Sequence, residues 1–307
     1  MKNSDSIFFD VIGVFLLCLT SVSNFSLFVY KKNAKNKRAV KRKDSCAKMI
    51  MKRGLTFFML TLLIVSLASN NALAAQCQGK SFYIKKNGNL RPILPQDEKT
   101  IEAYDAFYID PNKTDDDDDK VLYLTFDAGY ENGNVEKILD TLKKENVPGA
   151  FFLLGHIIRK NTDLVKRMGQ EGHIVCNHTE NHADMTRCSK EEMCENLSYL
   201  ESVYKEQTGE AMEKFFRFPE GKYDEEHLSY AKEMGYKTFF WSLAYADWDN
   251  NKQMNTEKAK KILLENTHNG AIILLHPTSS TNAEILPDLI KEWRSMGYRF
   301  GILSDFV

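Results

Sequence analysis

Seven residues between Asp127 and His276 hold side chains that can move protons, hold a metal or line a pocket. Asp127 closes the apolar run VLYLTF, His178 and His182 follow HIVC, Arg217 follows FF, the pair Asp247 and Trp248 follows a further apolar stretch, and His276 closes AIILL. Two imidazoles four residues apart share a face if they sit on one helical turn, and could grip a single divalent metal. The spacing is not that of HExxH, because Thr179 stands where a zincin carries its glutamate. A carboxylate such as Asp127 can serve as a base or simply cap the turn into the next helix, and Arg217 beside it would hold it ionised. His276 with a carboxylate partner in Asp247 would be oriented and kept protonated. An acid, a base, a metal and an aromatic wall together describe metal-assisted hydrolysis of an amide or ester.

Such groups converge only if the elements behind them are arranged to bring them together. From Val121 onward the pattern alternates short apolar strands with amphipathic helices. Strands are expected at Val121–Phe126, Ala150–Leu154, His173–Cys176, Phe215–Phe218, Lys237–Trp241, Ala271–Leu275 and Tyr298–Leu303. Helices are expected between them at Asn134–Glu145, Asp163–Glu171, from the capping box Ser189-Lys190-Glu191-Glu192 to about Glu206, and at Asp224–Met234, Thr256–Asn266 and Ala283–Met296. Repeated βα units imply parallel strands with right-handed crossovers. With no GxGxxG or Walker loop after the first strand, a nucleotide-binding sheet loses to an α/β fold of the barrel kind, a distorted (β/α) barrel of about seven parallel strands. In a parallel barrel the chemistry gathers at the carboxyl ends of the strands, where these seven residues fall.

The 307 residues suit one large domain or two ordinary ones, and 43% hydrophobic with 27% charged residues is a globular composition. The net charge of −1 hides an asymmetry. Residues 1–75 hold 12 Lys and Arg against Asp5, Asp10 and Asp44, leaving 29 basic and 39 acidic residues, a net −10, for the remainder. An acidic body argues against nucleic acid as a partner.

Residues 51–75 read as a secretory signal peptide: Lys52 and Arg53, an apolar run of about 14 residues, then Ala72-Leu73-Ala74. Residues 1–50 form a doubtful N-terminal extension containing the apolar stretch Ile7–Tyr30. It is either a membrane helix with a basic cytoplasmic flank or sequence ahead of a true start at Met51. Either way the body is expected outside the cytoplasm, at the wall, the membrane face or a forespore surface, with contact to membrane only through this N-terminal segment. A lipid anchor at Cys77 is disfavoured by Gln76 before it. Residues 76–119 read as a linker and N-terminal extension ending in the acidic run Asp115–Asp119, and 120–307 as the domain proper. Cys18 and Cys46 lie in the leader; Cys77, Cys176, Cys188 and Cys194 show no zinc-like spacing and are expected as small buried or surface thiols.

TFDAG at 125–129, HTENH at 178–182, RFPEG at 217–221, ADW at 246–248 and LLH at 274–276, in this order, resemble the polysaccharide deacetylase pattern (NodB homology, carbohydrate esterase family 4) over about residues 120–305. More narrowly, TFDAGYENGN, the preceding YDAFYI and LLHPTSSTNAEIL are similar to the delta-lactam-biosynthetic de-N-acetylase branch, which acts on N-acetylmuramic acid of peptidoglycan. The resemblance implies a NodB-like barrel and an N-deacetylase. In it Asp127 would be the general base and Arg217 its orienting partner. His178 and His182 would be metal ligands, His276 the general acid and Asp247 its tuning carboxylate. Trp248 and Leu274 would wall the acetyl pocket, and donors near Ala128–Tyr130, Tyr130 among the binding residues, would face the oxyanion. A divalent metal is implied, zinc first, with manganese or cobalt as substitutes. Glycan strands are the implied partner, trimmed beforehand by an amidase if the stem peptide must go, and the muramic δ-lactam of spore cortex is the implied product.

The chain departs from the family at Ala128, where a second aspartate usually completes the metal triad. Alanine cannot coordinate, so weak metal binding is expected, with water, Asp127 or Glu131 as ways to fill the position. A glycan-binding protein without activity and a deacetylase of N-acetylglucosamine polymers are the alternatives to keep.

Overall fold

The computed structural model describes residues 79–95 and 101–305, together with Lys52, Gly54, Thr56 and Met59. The chain divides into Met1–Ala75 and Gln76–Val307, and the fold belongs to the second unit. Among the described residues no helix is long and apolar enough to cross a membrane. The apolar stretch at 7–30, most of the leader, and Cys18, Cys46 and Cys77 lie outside the described residues.

In chain order the strands are β1 (Lys80–Ser81), β2 (Lys85–Asn87), β3 (Leu90–Ile93), β4 (Ala106–Phe107), β5 (Lys120–Ala128), β6 (Ala150–Leu153), β7 (Ile174–Asn177), β8 (Phe215–Phe216), β9 (Lys222–Tyr223), β10 (Lys237–Phe239), β11 (Ala271–Leu275) and β12 (Tyr298–Gly301). The helices are α1 (Val135–Glu145), α2 (Gly155–Lys160), α3 (Thr162–Gln170), α4 (Lys190–Thr208), α5 (Glu225–Glu233), α6 (Thr256–Glu265) and α7 (Ser280–Ser295). The main sheet runs β11-β5-β6-β7-β8-β10-β4, every pairing parallel, with β12 also on β5. Ser242 and Leu243, just past β10, donate to Ile272 O, and Leu274 donates to Leu243 O. These bonds turn the sheet back onto β11, giving the distorted (β/α) barrel.

The period of two along β5 places the chemistry. Val121 and Tyr123 belong to the cluster with Phe152, Cys176, Phe215, Phe239 and Ile272, whereas Leu122, Leu124, Phe126 and Ala128 pack with the apolar faces of α1, α3, α6 and α7. A strand buried on both faces reads as a continuous apolar run, as VLYLTF does. Its alternation puts Thr125 and Asp127 on the Val121 face and Ala128 on the other. Phe126 stacks on Phe151 with centroids 4.9 Å apart, and Trp293 of α7 is wholly buried, its Nε1–H donating to Thr267 Oγ1 at 2.8 Å. The capping box holds as read: Ser189 Oγ accepts from Glu192 N at 3.2 Å, Glu192 Oε2 accepts from Ser189 N at 2.7 Å, and the helix ends at Gly209, φ +84°.

Several boundaries differ from expectation. Of the stretch read as a linker and N-terminal extension of the domain, the described part packs as an extension. Phe82 and Ile101 are buried, β4 takes a place at the sheet edge, and β1 pairs antiparallel with β9. Two-residue strands among mixed sequence carry no periodicity to read, which is why β1, β4 and β9 escape pattern analysis. Helix α2 was not expected; six residues opening at Gly155 are too short to show a helical period.

Candidate active site

Asp127, at the carboxyl end of β5, is buried and shares its two oxygens between two neighbours. Oδ1 accepts from Arg217 Nη1 at 2.7 Å, and Oδ2 stands 3.6 Å from His178 Nε2. It caps no helix; Asn134 occupies the position before α1. Arg217 follows β8 and has no exposure at all. Its Nε donates to Phe239 O at 2.9 Å, its Nη2 to Thr125 Oγ1 and to Phe240 O, each at 3.0 Å, and its guanidinium lies 4.1 Å from the centre of the Phe152 ring. A buried cation is tolerated because its donors are used and its charge is matched. Burial alone would raise the Asp127 carboxyl, but Arg217, His178 and His276 outweigh it and hold it below the ordinary aspartate value.

His178 and His182 do come together, though not on a helical turn. Residues 178–182 form a loop in which Thr179 and His182 take left-handed backbone, φ +73° and +59°. The expectation of a shared helical face is corrected: the imidazoles meet edge to face, centroids 5.1 Å apart, because the loop doubles back. The strained Thr179 is held by an Asx-type turn, its N–H donating to Asn177 Oδ1 at 2.9 Å. His178 Nδ1 is bonded to Arg217 O at 2.9 Å, which makes Nδ1 the protonated nitrogen and leaves the Nε2 lone pair facing Asp127. Burial pushes this imidazole down to about 4, so it is neutral at pH 7 as a ligand must be. These donors fit a metal on two imidazoles with Asp127 alongside. Ala128 adds none, and Glu131 points elsewhere, its carboxylate accepting from Gly133 N and from Glu136 N at the start of α1. Among the described residues no group of three metal-binding side chains forms.

His276 follows β11, and Asp247 grips it twice: Oδ1 accepts from the imidazole Nδ1 and Oδ2 from the His276 backbone N–H, both at 2.8 Å. Burial lowers the imidazole, but the Asp247 hydrogen bond and the charges of Asp247 and Asp127 prevail and raise it above the ordinary histidine value. The cleft above these groups has a volume of about 810 Å³, suited to a sugar-sized ligand. Asp127, His178, His182 and His276 line it, as do Leu274, the half-open Tyr130 and Trp248, which is 63% exposed. The structure thus brings all nine sequence-derived positions to one assembly, Arg217 and Asp247 from just behind the wall. Sequence reading missed Asn282, which stands behind His276, and Tyr245, Trp241 and Glu220 in the wall. Asn282 lies inside the quoted segment LLHPTSSTNAEIL, and a polar residue one turn into an otherwise apolar helix face was the available signal.

Among the described cysteines Cys176 is buried, Cys188 half-buried and Cys194 exposed, all as free thiols.

Residues 114–239 match the family model described as polysaccharide deacetylase. The chain is 42% identical over 208 residues to the peptidoglycan-N-acetylmuramic acid deacetylase PdaA of Bacillus subtilis, covering 67% of this chain and 77% of that one. It is 33% identical over 186 residues to a peptidoglycan-N-acetylglucosamine deacetylase of Bacillus cereus, covering 59% and 66%. The solved structure of Bacillus subtilis PdaA, a family 4 carbohydrate esterase, superposes with a TM-score of 0.70 at 36% identity, over 75% of this chain and 97% of that chain.

Proposed function

The chain belongs to the polysaccharide deacetylase family, carbohydrate esterase family 4, hydrolases of the N-acetyl amide bond, and on that footing we propose that it deacetylates N-acetylmuramic acid residues of peptidoglycan outside the cytoplasm. The observation that carries this reading is the pairing of an ionised Asp127 with a protonated His276 across one glycan-sized cleft, each held by its own buried partner. The likeness to PdaA supports muramic acid as the sugar.

In this reading the acetamide carbonyl enters beside Leu274 with the sugar against Trp248 and Tyr130. Asp127 Oδ2 takes a proton from the attacking water as its oxygen bonds to the carbonyl carbon. The tetrahedral centre then collapses with cleavage of the carbon–nitrogen bond, and Nε2–H of His276 gives its proton to the departing amine. Acetate and a free amino sugar are the products. Arg217 keeps Asp127 anionic and aimed, while Asp247 holds the imidazole with Nε2 toward the cleft. Backbone donors near Ala128–Tyr130 face the developing oxyanion. Family members are metal-dependent in general. His178 and His182 would hold the metal here, with zinc first and manganese or cobalt as substitutes, and when bound it supplies Lewis-acid polarisation of the carbonyl and acidifies water. Deacetylation leaves an amine beside the lactyl carboxylate of muramic acid, the arrangement from which a δ-lactam closes with loss of water, as in spore cortex. The carboxylate is free only where an amidase has first removed the stem peptide. Residues 51–75 would direct export, and the N-terminal segment would anchor the protein to a membrane if the leader is not cleaved.

The N-acetylglucosamine deacetylase relative supports a second reading, the same chemistry on the other sugar of the strand. Mass spectrometry of peptide-free peptidoglycan strands and of chitooligosaccharides, incubated with the protein with and without added zinc, separates the two. Loss of 42 Da (roughly one acetyl exchanged for hydrogen at constant charge) confined to muramic acid is expected. Loss confined to the chitooligosaccharides would replace the substrate, and loss from neither would favour a glycan-binding protein without activity.

A further inference from the structure

We propose that Asn282 is a positioning residue for the proton donor, fixing Asp247 and His276 in the one arrangement that points the imidazole Nε2 into the cleft. The inference rests on the reading of His276 as general acid.

Asn282 lies in the first turn of α7, where its backbone N–H donates to the capping Ser279 Oγ at 3.1 Å. It is 1% exposed, in a helix whose other inward residues are chiefly Ile285, Leu286, Leu289, Ile290 and Trp293. A residue needed only to fill that space would be apolar, because burying an amide costs free energy unless its polar atoms are bonded. Both ends of this amide are bonded, and its Nδ2 partners belong to the His276 assembly. Nδ2 donates to Asp247 Oδ2 at 2.6 Å and to the backbone carbonyl of His276 at 3.0 Å; Oδ1 accepts from Tyr245 O–H at 2.5 Å. The orientation is unambiguous, since a carboxylate and a carbonyl accept only and the two protons of Nδ2 must go to them.

The consequence is a chain from the cleft wall inward: Tyr245, which lines the cleft, holds Asn282, which holds Asp247, which holds the imidazole. Asp247 Oδ2 receives two donors, Asn282 Nδ2 and the His276 N–H, and Oδ1 is left for Nδ1 of the ring. Without Asn282 the carboxylate loses one of three hydrogen bonds and the His276 carbonyl loses its brace, so neither the plane of Asp247 nor the backbone carrying the ring stays fixed. The other charges acting on His276 are Asp127 and Arg217, across the barrel mouth, and Asn282 touches neither.

The test uses the full chain as wild type, Asn282→Leu, Asn282→Asp and Asp247→Asn. Three readouts are compared: thermal melting, the pH profile of kcat/KM, and the titration of the His276 ring by NMR on histidine-labelled protein, assigned with His276→Gln. Asn282→Leu is expected to lose about 10- to 100-fold in kcat/KM, the usual effect of removing a group that orients a site residue. Its His276 midpoint and alkaline limb should both fall by about one pH unit. Asn282→Asp should restore activity at low pH, where its acid form still donates to Asp247, and lose it as that acid ionises. If both variants keep the wild-type midpoint and lose activity by the same factor at every pH, Asn282 is a packing residue and the proposal is overturned. An Asp247→Asn variant with an unchanged kcat/KM profile would overturn the general-acid reading, and the proposal with it. Loss of activity in Asp247→Asn with wild-type behaviour of both Asn282 variants would overturn the proposal alone.

Discussion

Arg217 Nη1 lies 2.7 Å from Asp127 Oδ1, joining two groups 90 positions apart in the chain that are both buried at the barrel mouth. Neither can be removed alone. Arg217→Met leaves an uncompensated buried carboxylate and removes the N–H groups that Thr125 Oγ1, Phe239 O and Phe240 O accept from. A loss of about 3–5 kcal/mol in urea melts is expected, from the cost of breaking a buried pair. Activity should fall by more than the folded fraction explains, because Asp127 would then protonate. Arg217→Lys, one charge without the planar fork, should recover part of the stability and little of the activity.

The pH dependence of kcat/KM follows from the groups that must be in one form. His276, raised above the ordinary histidine value, has to be protonated to donate, so activity is full below that value and lost as pH rises through it. Asp127, held below its ordinary value, stays ionised into weak acid, and His178, pushed down to about 4 by burial, stays neutral there as well, so neither group places an acid limb near 6.5. A plateau from about 4 to above 6.5 is expected. An acid limb near 6.5 would contradict the assignment.

Stability should follow a different course. His173 and His268 are buried and neutral, desolvation pushing each down to about 4; His173 has no hydrogen-bond partner on either ring nitrogen and lies edge-on to Phe151. A depressed folded value means the unfolded chain takes the proton first. The stability these groups contribute is therefore complete above 6.5 and is lost as pH falls toward 4, by about 3 kcal/mol for each. His227, raised by its bond to Asp224 against its burial, acts in the opposite sense and loses its contribution as pH rises through its folded value. Urea melts between pH 7 and 4 should show the decline, and His173→Phe should flatten it.

With Ala128 in place of a third ligand, zinc binding to the free protein should be micromolar or weaker in a calorimetric titration. His178→Ala should abolish both binding and metal stimulation. Sub-micromolar affinity in the unsubstituted protein would mean a third protein ligand exists.

Much of this assembly was legible in the chain, for physical reasons particular to each residue. Asp127 and His276 end strands whose unbroken apolar runs can only be interior, so their placement at a barrel mouth followed from periodicity. Ser189 announced α4 because a capping box is a local bond pattern. The loop carrying His178 and His182 was not legible, since its shape depends on the strained Thr179 and on Asn177, whose side chain is fixed by Leu197 and Tyr236 far along the chain. The part played by residues 79–95 and 101–110 was hidden for a related reason: β4 and Phe82 are held by partners at β10 and Gly221, and nothing local marks them.

The central claim is that Asp127 and His276 deacetylate muramic acid in this cleft. Mass spectrometry of peptide-free peptidoglycan strands treated with wild type, Asp127→Asn and His276→Ala tests it most directly. The expected result is acetyl loss from muramic acid with wild type and none above background with either variant, all three proteins melting cooperatively. Acetyl loss that survives Asp127→Asn or His276→Ala would contradict it.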